Sequence, residues 1–294
     1  MVRRFSHFLA IDWSGAKGER QKGIALALAH AGGGPPVLVD RGKAWSREDV
    51  LAILKSELPP DTLVGMDLGI SLPFADAGAF FPDWEQSPRN AKALWELIDE
   101  ICAADPYLEC GSFVAHPEAS RYFRHSAEQV GDRFHRPGAA TREGRFRIAE
   151  HAQRGQGVRP VSNFNLVGAA QVGKSSLTGM RMLNRLRGHV SVWPIDPPEA
   201  GKPVVVEMYT SIAARGGGVG GTRTKLRSYE DLNIALSRLG SHPVAKSGPV
   251  DDHTSDALVT AAWLRSVAHD PAYWEPQGLT PEIAQTEGWT FGAL

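Results

Sequence analysis

Carboxylates stand where apolar runs stop or a helix begins. Asp12 follows the run Phe8 to Ile11, Asp67 follows Leu63 to Met66, and Glu207 follows Val204 to Val206. Asp256 lies at the start of a helix-forming stretch that continues to Leu264. Asp252, four residues earlier, shares one face of its first turn, where the helix dipole favours negative charge. A carboxylate at the mouth of a buried strand is costly unless something positive meets it. Four that converge cannot all stay ionised without a counter-charge. Hard divalent cations with oxygen ligands, Mg2+ or Mn2+, supply one. Two such ions about 3.5–4 Å apart orient an attacking water and stabilise the leaving oxygen in phosphodiester cleavage. Taken singly, each acid also reads as a turn former or a helix N-cap.

Bringing these acids together requires strands that end side by side. Phe8 to Ile11 is short and fully apolar, which predicts a buried strand, and Ile24 to Ala29 predicts its antiparallel partner across a turn at 14–22. Val37 to Val39 begins a third strand. Ser46 caps a helix whose apolar face is Val50, Leu51, Ile53 and Leu54 and which stops at Pro59 and Pro60. Thr62 to Met66 is the next strand. From 76 to 200 the sequence changes to helix signals at Ala91–Cys102 and Ser176–Arg187 around a polar, basic, glycine-punctuated stretch. This predicts a mostly helical, basic insertion. Core signals resume with the strand ending at Glu207, a glycine-rich loop at 215–221, a helix from Ser228 and the helix after Val250. Pro271, Pro276 and Pro281 predict a loosely packed tail over 271–294. The expected architecture is α/β, a mixed sheet flanked by helices, with its core in 1–75 and 201–270.

The composition, 42% hydrophobic and 22% charged, is that of an ordinary globular chain. Cys102 and Cys110 fit neither a zinc knuckle nor a disulfide scaffold. The first apolar run is too short for a signal peptide, and no run approaches the roughly 18 residues of a membrane span. A cytoplasmic protein with no membrane partner is the expectation. The net charge of −1 conceals thirteen Lys/Arg against four Asp/Glu between Arg121 and Arg187. That excess points to an anionic partner, or to a solvated arginine-rich surface. Arg145 and Arg147 flank Phe146, a pattern that grips a nucleic-acid backbone and stacks on a base, or that simply belongs to a helix with one buried Phe. Lys17, in the turn after Asp12, reads as a phosphate contact or a solvated tip. His253, beside Asp252, reads as a proton-transfer group or a solvent-facing residue.

The segments 10–18 (AIDWSGAKG), 64–74 (VGMDLGISLPF), 205–211 (VVEMYTS) and 251–264 (DDHTSDALVTAAWL) resemble the ribonuclease H-like fold and, within it, the family of predicted nucleases described as DUF429. The last segment also resembles the acid-bearing final helix of RuvC-type resolvases. The resemblance implies metal-dependent hydrolysis of DNA or RNA. It implies Asp12, Asp67, Glu207 and Asp256 as Mg2+ or Mn2+ ligands, with Asp252 as a fifth.

Two other readings compete. Gly168 to Ser175 fits the P-loop pattern, with 191–196 loosely similar to its partner strand. A working P-loop needs a buried strand before it and a helix after it, and the residues before it are half polar. A more modest version keeps Lys174 and the loop N–H groups as a substrate phosphate contact. Asp12-Trp-Ser-Gly15 and Asp67-Leu-Gly69 also resemble the phosphate loops of actin-like ATPases and sugar kinases, which duplicate a core that appears once here. A third reading is an inactive nucleic-acid-binding or protein-binding module.

Overall fold

The computed structural model describes residues 5–136, 143–168, 171–220 and 225–294. The first half supplies β1 (His7–Asp12), β2 (Arg20–Gln21), β3 (Ala25–His30), β4 (Val37–Leu38), β5 (Trp45–Ser46), α1 (Arg47–Ser56), β6 (Thr62–Met66), α2 (Ala91–Ile101) and α3 (Gly111–Ala115). The second supplies α4 (Ile148–Gly155), α5 (Val172–Arg185), β7 (Ser191–Trp193), β8 (Val204–Glu207), α6 (Thr210–Gly216), α7 (Tyr229–Arg238), α8 (Asp252–Val267) and α9 (Pro281–Thr286).

Six strands form one mixed sheet in the order β4-β3-β1-β6-β8-β7. β1 pairs antiparallel with β3, from His7 opposite His30 to Asp12 opposite Ala25. On its other side β1 runs parallel to β6, then β8 and β7 follow in the same direction. Both faces of the sheet are covered, so the central strands are apolar throughout instead of alternating with polar residues. Leu9, Ile11, Val64 and Met66 pack with α1, α2 and α5, whereas Phe8, Ala10, Leu63, Val204 and Val206 pack with α6, α7 and α8. Ser46 caps α1 through the amide of Asp49, whose carboxylate returns to the Ser46 amide. The Ser228 and Asp251 side chains cap α7 and α8 by accepting the amides of Asp231 and Thr254. Among the described residues no helix is long and apolar enough to cross a membrane.

The stretch 76–200 carries more than helices. β7 lies in it and forms an edge of the sheet; Pro194 follows its last residue and so has no ladder amide to withhold. α5 begins at Val172, four residues ahead of the expected start at Ser176. α6 starts soon after β8 and takes in Arg215 and Gly216, the start of the expected glycine-rich loop.

The expected loose tail is a correction. Trp289, Phe291 and Ala293 are fully buried. Glu287 accepts the amides of Phe74 (2.7 Å), Ala75 (2.8 Å) and Ile148 (2.7 Å). The Phe291 amide donates to the Glu207 carbonyl at 2.9 Å, which extends the pairing beyond β8. Pro281 starts α9 and Pro271 a short 3-10 turn without loosening the chain, since a proline fits the first helical turn.

The basic excess is also largely neutralised. Arg133 pairs with Asp83, Arg145 with Asp76, Arg154 with Glu143, and both Arg181 and Arg185 with Asp99. Several of these acids lie outside the basic stretch, so counting charge along the sequence overstated the field at the surface.

Candidate functional site

The site sits at the carboxyl ends of the central parallel strands. Ile11 stands opposite Met66, and the Asp67 amide donates to the Ile11 carbonyl at 3.0 Å. Asp12 and Asp67 therefore leave neighbouring strands at one level. Side chains alternate between faces along a strand. Ala10 points toward α8 and Ile11 away from it, so Asp12 points toward α8; the same count from Leu63 and Met66 sends Asp67 the same way. α8 packs on this face across β1 and β3 and brings Asp256, one turn past its start, to the two strand-end acids.

The three carboxylates disturb one another. Burial, reinforced by the charges of Asp12 and Asp256, holds Asp67 well above the usual carboxylate range, and the Thr210 hydroxyl donating to it at 3.0 Å only partly offsets this. Burial also raises Asp12, against the pull of His253, whose Nδ1 lies 2.6 Å from its Oδ2. The Asp12 carboxylate in turn raises His253. Burial, then the Asp12 charge, pushes Asp256 up to about 7. Asp252 faces outward and pairs with Lys225, a cation close enough to lower both Asp12 and Asp256.

Glu207 does not join them. It stands opposite Met66, one residue short of the level of Asp67, and that offset turns its side chain to the other face of the sheet. There it is 3% exposed and bound to Arg147, with Nη1 at 2.7 Å, to the Ile70 amide at 2.8 Å, and to the Thr290 hydroxyl. The strand residue that faces α8 at the site is Met208, which offers no hard oxygen ligand.

The expected substrate contacts fare unevenly. Arg147 is 1% exposed and lies between Glu150 and Glu207. Arg145, 2% exposed, is consumed by Asp76 and by the carbonyls of Pro73, Ala79 and Phe80 at 2.6–3.1 Å. Both are internal cross-links and present no free cation to a nucleic acid. Phe146 is buried beneath Arg154, whose guanidinium lies 4.1 Å above its ring. Lys17 is exposed in the connection after β1. Lys174, in the first turn of α5, is half-buried and lies near Cys110. Spacing gave no signal for Lys225, which approaches the acids only because α8 and the segment before α7 meet.

The glycines of the competing motifs have packing roles. A Cβ at Gly15 would collide with the backbone of Lys174 and Ser175, and one at Gly69 would lie 2.7 Å from Ser176 Oγ. α5 thus packs closely against both loops at their glycines. Arg47, fully buried, fixes the first loop by donating to the carbonyls of Ser14 at 3.1 Å and Ala16. The residues preceding the P-loop-like stretch form no strand; Asn165 makes only an isolated bridge to Arg124. Residues 169 and 170 of that stretch lie outside the described residues, as do 221–224, which take in the end of the expected glycine-rich loop.

A cleft of about 380 Å³ opens beside Asp67, between the loop after β1, the start of α5 and the end of β8. Comparison of the chain with protein-family models, with curated proteins and with solved structures returned no match. Among the described residues no three His, Cys, Asp or Glu side chains stand at coordinating spacing as placed. The chemistry of Asp12, Asp67 and Asp256 nevertheless fits a hard cation: all donors are oxygens, and burial leaves their charges under-compensated.

Proposed function

We propose that the chain is a divalent-metal-dependent phosphodiesterase acting on nucleic acid, built on a ribonuclease H-like sheet and akin to the DUF429 predicted nucleases. The observation that carries this reading is the convergence of Asp12 and Asp67, from adjacent parallel strand ends, with Asp256 from the helix packed across them. The strand order β4-β3-β1-β6-β8, antiparallel on one side of β1 and parallel on the other, supports the fold assignment.

Asp12, Asp67 and Asp256 would hold Mg2+ or Mn2+, which supplies Lewis acidity and an activated water to phosphodiester hydrolysis. The protein's own groups then have separate tasks. His253, bonded to Asp12 and half exposed, exchanges a proton between the site and solvent. Lys225 presents a cation to an anionic substrate and keeps Asp252 outside the cluster. Arg147 and Glu207 hold the floor of the site by joining β8 to α4 and the tail.

The test is cleavage of labelled DNA and RNA by the purified chain in Mg2+, Mn2+ or EDTA. Metal-dependent cleavage is expected, falling by about 100-fold or more in Asp12→Asn and Asp67→Asn, since even outer-shell partners of metal sites contribute about 10–100-fold. Cleavage that survives EDTA or Asp12→Asn, or no cleavage of any substrate, contradicts the reading.

A further inference from the structure

We propose that the cleft beside Asp67 receives the base of a single unpaired nucleotide, so that the chain acts on single-stranded or unpaired segments and not on intact duplex. This rests on the nuclease reading and names the substrate class of that site.

A volume of about 380 Å³ lies at the small end of the roughly 300–1,000 Å³ typical of ligand pockets. It is a cleft closed by α5 and the loop after β1, whereas a duplex is met by a surface that reads a groove about 12 Å wide. A base can enter such a recess only when it is out of the stack, as in enzymes that extrude a nucleotide or take single strands.

Asp67, Glu150 and Glu207 line the cleft, and the one cation among its described lining residues, Arg147, is already bound to two of them. The lining is net negative, which disfavours a phosphate inside. A neutral, planar base pays no such penalty, and its own phosphate is left at the Asp67 edge, toward Asp12 and Asp256.

Tyr209 and the small exposed part of the otherwise buried Trp13, 6% exposed, supply aromatic surface, with Val161 and Val172 as apolar contacts. The aromatic positions are fixed in advance: Trp13 Nε1 donates to Thr178 Oγ1 at 3.1 Å, and the Tyr209 hydroxyl to the Arg159 carbonyl at 3.3 Å. The amides of Asn163 and Gln153 are likewise anchored, to the Ser71 carbonyl at 2.9 Å and to Thr290 Oγ1 at 2.8 Å. Preformed apolar walls with a few fixed amides are what a base edge and face require.

The experiment measures binding of a fluorescent 12-nucleotide single strand, and of the same sequence as a duplex, to the full chain in Ca2+, with cleavage followed in Mn2+. Val161→Trp fills the cleft. Gln171→Trp does so from an exposed rim position whose change leaves the core untouched. Single strand is expected to bind at least tenfold more tightly than duplex. Each Trp variant should lose at least tenfold of that affinity while keeping the Mn2+-induced rise in melting temperature. Equal binding of duplex, or unchanged single-strand binding in both folded variants, overturns the inference. If the metal-dependent cleavage persists in that case, the nuclease reading stands alone. If single strand binds as expected but no metal supports cleavage, the base site stands and the nuclease reading falls.

Discussion

Replacing Asp256 by Asn should stabilise the metal-free protein near neutral pH. Burial and the neighbouring Asp12 charge push the Asp256 carboxyl up to about 7 in the folded chain, against about 3.9 in an unfolded one. Between those values the folded state keeps a proton that the unfolded state has released, so stability falls as pH rises through the window. Fully expressed, the gap corresponds to roughly 4 kcal/mol. Because the side chain retains some contact with solvent, about 1–3 kcal/mol is the expected gain at pH 8. For a chain of this size that is about 2–4 °C of melting temperature per kcal/mol. His253, raised chiefly by Asp12, loses its stabilising contribution in both proteins as pH climbs through its folded value, while the smaller raising effect of the Asp256 charge on His253 and Asp67 is lost in the variant. Urea unfolding of wild type and Asp256→Asn at pH 4, 6 and 8 therefore reads the Asp256 carboxyl together with its coupling to Asp67 and His253. The two should nearly coincide at pH 4, with the variant pulling ahead by pH 8. Saturating Mn2+ should then raise wild type more than the variant and narrow the difference. A variant that is less stable than wild type at pH 8, or a difference that ignores pH, would refute the reasoning.

Other substitutions test the framework around the site. Arg147→Met strands Glu150 and Glu207 in the interior and should destabilise by about 3–5 kcal/mol in urea unfolding, the usual effect of breaking a buried pair from one side. Gly15→Ala forces the loop after β1 off the start of α5 and should cost about 1–3 kcal/mol, read by the same unfolding curves. Trp289→Ala should cost about 3–5 kcal/mol in thermal unfolding if the tail is core; a change under 1 kcal/mol would mean it is a dispensable wrap. Glu207→Gln should lower stability yet leave the Mn2+-induced thermal shift intact, whereas Asp67→Asn should abolish that shift.

The sheet and most of its helices were legible because their signals are local. Apolar runs ending in acids mark β1 and β6, and Ser46, Ser228 and Asp251 announce the helices that they cap. The placement of Asp12 and Asp67 followed from the same signals. Glu207 was misleading because its text, an apolar run and then an acid, matches the other two, while its face depends on a one-residue register between β6 and β8 that no local pattern encodes. The buried roles of Arg145 and Arg147 depend on Asp76, Glu207 and the tail, all distant in sequence. Proline content hid the packing of 271–294, since a proline marks where a helix starts but says nothing of what the following residues bury. β4 is legible at Val37 to Val39 despite its two residues, whereas β7 has three, too few for any periodicity to register.

The central claim is that Asp12, Asp67 and Asp256 hold a divalent cation. Anomalous diffraction from crystals soaked in Mn2+ tests it most directly. The account predicts density about 2.1 Å from carboxylate oxygens of Asp12 and Asp67, with Asp256 drawn toward it and Glu207 still bound to Arg147. No anomalous peak at saturating Mn2+, or a peak ligated by Glu207 away from the three aspartates, would contradict it.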